Sequence, residues 1–196
     1  LNLELEPTSG EYLYSGSVKL VSFEKVTEII NHIRYNDNSN SAGGYDQGIT
    51  VQQYLFRGQK NQQHANGALE TFDLSYLMKR GLKFLSTGEM RKVVIAKALL
   101  DNPDLLILDE PFDGLDRRSY HALKALIEKI ADQGIIPLLC LNRFEEIPQQ
   151  TTHIALIESG AIVQQGDKGR ILNGIQSARR PLSADKHTIL TPAKNR

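Results

Sequence analysis

Residues Leu105 to Asp116 read LLILDEPFDGLD. The apolar residues of this stretch predict a buried strand, and Asp109 and Glu110 follow side by side where that strand ends. A turn comes next, and it supplies further carboxylates at Asp113 and Asp116. Burying so much negative charge is costly unless the charge is paired. The stretch therefore predicts a site that holds something positive.

Helices and further strands alternate on both sides of this stretch. The strands are apolar throughout, and amphipathic helices separate them, which is typical of an α/β fold whose parallel sheet is covered on both faces. In such sheets the chemistry lies at the carboxyl ends of the strands. The pattern predicts helices over 86–100, 116–134 and 167–174, and strands over 104–109, 135–142, 153–159 and 161–166.

The region before residue 85 is less regular. SVKLVSF (17–23) alternates like a strand, and EKVTEIINHIRY (24–35) has helical spacing. A run of turn-forming residues over 36–48 predicts a loop, and helical patterns resume within 49–58 and 64–74. Beyond Gly174 no pattern is sustained, so the end of the chain is predicted to be a linker or tail.

Composition excludes several classes of protein. The chain has 196 residues with 23 Lys and Arg against 23 Asp and Glu, so no overall field favours nucleic acid or an anionic membrane. The single cysteine, Cys140, allows no disulfide framework, and the five histidines are scattered without metal-ligand spacing. No segment is long and apolar enough to span a bilayer, and the first residues lack the basic-then-apolar layout of a signal peptide. These features predict a cytoplasmic protein that does not bind nucleic acid directly.

Two places carry candidate chemistry. At the end of the predicted strand, Asp109 is placed to hold a hydrated Mg²⁺, and Glu110 to orient and deprotonate a water. Upstream, Ser86 and Glu89 fit a capping box at the start of a helix. Either that serine is simply a helix cap, or it and the Gly88 amide also donate to a phosphate at the helix N-terminus.

The order of these motifs is more specific than any one of them. The chain contains, in this order, STGE, NPDLLILDEP, FDGLD and LNRFEEIP. These four stretches resemble the signature motif, the Walker B strand, the D-loop and the following loop of ATP-binding cassette (ABC) ATPases. The resemblance covers roughly residues 10 to 175 and extends to the first cassette of twin-cassette molybdate-transport ATP-binding proteins. It implies a P-loop NTPase-like parallel sheet flanked by helices, in a cassette domain over 1–174 with a helical signature subdomain at about 49–101. Residues 175–196 would be the linker or tail.

The resemblance implies a role for each matching residue. Ser86 and Gly88 match the signature residues that contact the γ-phosphate of an ATP held by a facing cassette. Asp109 matches the aspartate associated with Mg²⁺, and Glu110 matches the catalytic glutamate that acts as general base. Asp116 matches the D-loop aspartate at the interface between two cassettes. ATP, Mg²⁺ and a second cassette, in the same chain or another, are therefore expected.

Several positions depart from the family pattern. Glu24 stands where most cassettes have a glutamine, and it can bind Mg²⁺ but cannot donate as an amide does. Asn142 stands at the usual catalytic histidine, where its amide can donate to a γ-phosphate oxygen but cannot become cationic. Thr87 and Glu89 replace a usual glycine and glutamine. These changes put fast hydrolysis in question.

The largest departure is the lack of a G-x-x-x-x-G-K-[ST] phosphate loop in these residues. The loop and the first strands of the cassette are therefore expected upstream of residue 1, and this stretch alone is expected to be inactive. Membrane-spanning transporter subunits are the expected partners, which would place the protein at the inner face of the cell membrane. Two alternatives stay open: a cassette ATPase outside transport, as in DNA repair, and a degenerate cassette that regulates without turnover.

Overall fold

A computed structural model of the chain describes residues 9, 15–24, 26–27, 31, 48–57, 72–177 and 188–190. Most of the predicted loop over 36–48, and most of the helices predicted over 24–35 and 64–74, lie outside these residues. The described helices are α1 (Val51–Phe56), α2 (Thr87–Leu99), α3 (Arg117–Asp132) and α4 (Lys168–Ser177), with 3-10 turns at Ser75–Leu77, Leu82–Phe84 and Phe144–Glu146. The described strands are β1 (Val18–Ser22), β2 (Leu105–Asp109), β3 (Ile136–Cys140), β4 (His153–Glu158), β5 (Ala161–Asp167) and β6 (Thr188–Leu190).

The first three strands form the predicted parallel sheet, in the order β1-β2-β3. The sheet is in register, so that Ser22, Asp109 and Cys140 lie side by side at its carboxyl end. Leu106 and Leu108 of the central strand are completely buried, as expected for a strand between two layers of helices. The sheet therefore brings the carboxyl ends of the three strands to one edge.

Helix α2 lies at the centre of the core. It packs against β1, α1 and α3, and residues all around it are buried. The sequence pattern predicted only one buried face, which is typical of a surface helix. Helix α3 does have one buried face, and Gly134 follows its end with a φ of +88°.

The strands predicted over 153–159 and 161–166 lie in a second sheet and not in the parallel one, which corrects their predicted placement. Strands β4, β5 and β6 form a separate antiparallel sheet in the order β5-β4-β6. Ser159 and Gly160, with φ of +49° and +78°, connect β4 to β5 in a tight turn. Such a turn joins antiparallel neighbours, whereas a parallel pair needs a crossover of a dozen or more residues. Strand β6 lies within the segment predicted to be a patternless tail.

Among the residues that the structure describes, no helix is both long enough and apolar enough to cross a bilayer.

Candidate active site

The carboxyl edge of the parallel sheet brings together two of the predicted catalytic residues. Glu110 follows β2 directly and has a φ of +50°, a conformation that few non-glycine residues adopt. Its backbone N–H donates to the Cys140 carbonyl at 3.0 Å. The Asn142 amide donates from Nδ2 to Glu110 Oε1 at 2.6 Å. The strained turn thus holds the glutamate against β3, where the asparagine orients its carboxylate.

Three carboxylates concentrate negative charge at this edge. Burial raises the pKa of Asp109, and the charges of Glu110 and Glu24 raise it further. Glu24 follows β1 and is exposed. A divalent cation would relieve this repulsion, and carboxylate oxygens are the ligands that Mg²⁺ prefers. The described residues contain no ready group of three metal-ligating side chains, so water and substrate oxygens would have to complete the coordination.

The neighbouring Cys140 is unsuited to nucleophilic chemistry. Burial raises the pKa of its thiol to about 12, and the charges of Asp109 and Glu110 contribute to this shift. A thiol is reactive only as its thiolate. The thiol is half-buried at the end of β3, where it serves packing.

The start of α2 has the predicted capping box. Ser86 Oγ accepts from the Glu89 backbone N–H at 3.2 Å, and Glu89 Oε2 accepts from the Ser86 backbone N–H at 2.8 Å. Arg80 forms an ion pair with Glu89 at 3.1 Å and so holds the capping carboxylate from the other side. Ser86 is exposed, which leaves the start of the helix open to a ligand or another chain.

Gly88 and Asp116 meet through Ser119, which the sequence analysis did not single out. The Asp116 carboxylate caps α3 and accepts from the Ser119 backbone N–H at 3.0 Å and from the Ser119 hydroxyl at 2.7 Å. A Cβ atom on Gly88 would lie 2.6 Å from Ser119 Oγ and 2.8 Å from Ser119 Cβ. Residue 88 must therefore be glycine for the two helix starts to pack this closely.

A second residue that the sequence analysis missed is Arg91. It is 6% exposed, and its guanidinium donates to the carbonyl of Glu110 at 3.3 Å and to those of Pro111 and Asp113. It also lies 4.8 Å from the centre of the Phe23 ring. The available signal was weak, because one basic residue in the first turns of a helix is usually solvated.

A cavity of about 450 Å³ opens beside Arg91, and Phe23, Glu24 and Glu110 are among the residues that line it. The candidate site residues thus form two groups. The edge group consists of Glu24, Asp109, Glu110 and Asn142, and the helix-start group consists of Ser86, Gly88 and Asp116. Arg91 contacts the backbone that leads from the first group to the second.

A family model described as "ABC transporter" matches residues 1–113, which is more than half of the chain. The chain belongs to this family. The family also accounts for the parallel sheet with flanking helices.

The chain matches only part of the length of each of its curated relatives. The chain is 33% identical over 154 residues to the ABC transporter ATP-binding protein ModF of Escherichia coli, which is 78% of this chain and 31% of ModF. It is 31% identical over 134 residues to the molybdenum import ATP-binding protein ModC of Aliivibrio fischeri, covering 68% and 36%. It is 34% identical over 125 residues to the zinc import ATP-binding protein ZnuC of Haemophilus influenzae, covering 63% and 41%. The chain spans less than half the length of each.

Solved structures agree on the fold. A nucleotide-free ATP-binding cassette from an ABC transporter is 22% identical and matches 70% of this chain and 63% of its own, with a TM-score of 0.61. At that identity the likeness shows an ABC cassette fold and nothing more specific.

Proposed function

We propose that this chain is the part of an ABC ATPase that supplies the catalytic carboxylate to one ATP site and the signature residues to another. The observation that carries the proposal is the 2.6 Å hydrogen bond between Asn142 and Glu110, beside Asp109 at the carboxyl ends of the strands. This arrangement would supply a carboxylate, an amide donor and a cation ligand at one edge of the sheet. Those are among the groups that hydrolysis of Mg-ATP requires.

Glu110 would act as the general base in this site. Its carboxylate would accept a proton from the attacking water, and a positioned base of this kind contributes about 10² to 10⁴ in rate. Asn142 Nδ2 would hold that carboxylate in place and donate to a γ-phosphate oxygen once ATP is bound. Asp109, with Glu24 nearby, would hold Mg²⁺, which neutralises charge on the phosphates when it is bound.

The helix-start group would serve the ATP of a facing cassette. Ser86 and Gly88 lie at the exposed start of α2, where backbone N–H groups and the helix dipole favour a phosphate. Asp116 would lie at the interface between the two cassettes. The proposal also requires a phosphate-binding loop, which these 196 residues do not contain.

Transport of molybdate is the finer part of the proposal. The name of the ModC relative supports it, whereas the name of ZnuC points to zinc, so the solute remains to be tested. We propose membrane-spanning subunits as partners and a place at the inner face of the cell membrane. Copurification of the protein with such subunits would support transport. Its absence would favour the alternative of an ATPase outside transport.

The proposal is tested by hydrolysis of Mg-ATP by the full encoded protein. We expect Glu110→Gln to lower kcat by about 10² to 10⁴ while Mg-ATP still binds. Glu145→Gln is the matched control, because Glu145 is an exposed glutamate that lies shortly after Asn142. A wild-type protein that binds Mg-ATP without turnover would establish instead the degenerate, regulatory cassette, which the presence of Glu24 and Asn142 favours.

A further inference from the structure

We propose that Arg91 is a positioning residue that fixes the backbone around Glu110 and ties it to the helix that begins at Ser86. The inference rests on the proposed function. It deepens that function by assigning one side chain to the connection between the edge group and the helix-start group.

The side-chain hydrogen bonds of Arg91 converge on one short segment. Its guanidinium donates to the carbonyls of Glu110, Pro111 and Asp113, which are the first residues after β2. A planar guanidinium offers five N–H donors in a fixed fork, so it can hold three carbonyls in a defined geometry, whereas a side-chain amide has only two N–H donors. The backbone hydrogen bonds inside this segment are long, such as Asp113 N–H to the Glu110 carbonyl at 3.4 Å, although the Glu110 N–H also donates to the Cys140 carbonyl at 3.0 Å.

The burial of the Arg91 side chain indicates that its hydrogen bonds are needed to stabilise the charge. Arg91 is 6% exposed, and a buried charge is costly unless it is hydrogen-bonded. Burial lowers the pKa of Arg91, and the charge of Asp113 opposes this shift. A neutral residue would pack at this position more easily. Retaining a cation here costs stability that the carbonyl contacts must offset.

The position of Arg91 on α2 links the Glu110 segment to the helix that begins at Ser86. Ser86 caps the same helix five residues earlier, so both residues belong to one rigid element. The Phe23 ring, 4.8 Å from the guanidinium, immediately precedes Glu24. A shift of α2 when Ser86 meets a nucleotide would therefore pull on the backbone that carries Glu110.

The test uses Arg91→Met in the full encoded protein. Methionine keeps most of the volume and removes both the charge and the donors. The matched control is Lys97→Met, because Lys97 lies on the same helix and donates to the carbonyls of Leu55 at 2.7 Å and Arg57 at 2.9 Å, away from the site. If Arg91→Met does not fold, Arg91→Gln, which keeps two amide donors, takes its place.

We expect Arg91→Met to lower kcat by roughly tenfold to a hundredfold with an unchanged KM for Mg-ATP, because a displaced catalytic group slows chemistry without weakening binding. Amide hydrogen exchange over 110–116 should become faster in Arg91→Met but not in Lys97→Met. A kcat equal to that of the wild type, or a loss shared equally by Lys97→Met, would overturn the inference.

The exchange measurement separates this inference from the proposed function, because it needs no nucleotide. A wild-type protein without ATP hydrolysis would overturn the proposed function. Faster exchange over 110–116 in Arg91→Met would in that case still support the contact between Arg91 and this segment, and unchanged exchange would overturn it.

Discussion

The pKa of a carboxylate is shifted in opposite directions in the edge group and in the helix-start group. Burial and the charges of Glu110 and Glu24 raise the pKa of Asp109. The side-chain and backbone hydrogen bonds from Ser119 lower the pKa of Asp116. The first carboxylate is therefore destabilised when ionised, and the second is stabilised. This difference indicates that the carboxylates at the edge need a cation from outside the chain, whereas the Asp116 carboxylate is already stabilised by hydrogen bonds within the chain.

The largest effect should follow from Asp109→Asn. A folded pKa above the unfolded value means that ionisation of Asp109 opposes folding at neutral pH, and asparagine avoids that cost. We expect the variant to lose Mg²⁺-dependent hydrolysis and, without Mg²⁺, to unfold at a higher temperature than the wild type at pH 7. Thermal unfolding with and without Mg²⁺ measures this. If Asp109→Asn unfolds at a lower temperature than the wild type in the absence of Mg²⁺, the stated difference between the two carboxylates is wrong.

The next largest effect should follow from Gly88→Ala. The added Cβ would meet Ser119 at 2.6 to 2.8 Å, and overpacking of this kind costs about 1 to 3 kcal/mol in the free energy of unfolding. Denaturant unfolding measures the loss. The double variant Gly88→Ala with Ser119→Gly should recover part of it, because the second change removes the atoms that clash. Strict additivity of the two losses would contradict the packing described for the two helix starts.

The smallest effect should follow from Asp116→Ala, which removes the cap of α3. Because the folded pKa of Asp116 is lowered, its contribution to stability is present above the ordinary pKa of 3.8 and is lost as the pH falls below it. We expect a loss in the free energy of unfolding at pH 7 that is smaller than that of Gly88→Ala and shrinks towards pH 3. Asp116→Asn is the control, since asparagine also caps helices well. An equal loss at both pH values would contradict this account.

Much of the fold could be predicted from the sequence because its signals are local. The apolar run before Asp109 predicted β2, and Ser86 with Glu89 predicted the start of α2. The second sheet could not be predicted in this way. Strand β4 has an apolar centre like that of a parallel strand, and β5, which reads AIVQQGD, is largely polar and exposed. The short turn at Gly160 is the local signal that the two strands are antiparallel.

The candidate site was predicted unevenly for a similar reason. Asp109 and Glu110 follow a recognisable strand, and the parallel register then brings Asn142 to the same edge. Ser119 and Arg91 were missed because their importance comes from contacts between distant parts of the chain. A serine in a helix and a basic residue in another carry no pattern that distinguishes them from solvated residues.

The central claim is that Glu110 and Ser86 act on different nucleotides, each shared between two facing cassettes. The most direct test mixes two inactive variants of the full encoded protein, Glu110→Gln and Ser86→Arg, and measures ATP hydrolysis. In a mixed pair, one composite site carries both changes and the other carries neither. We predict that neither variant hydrolyses ATP alone and that activity returns on mixing. No activity after mixing, with pairing shown by sedimentation, would contradict the claim.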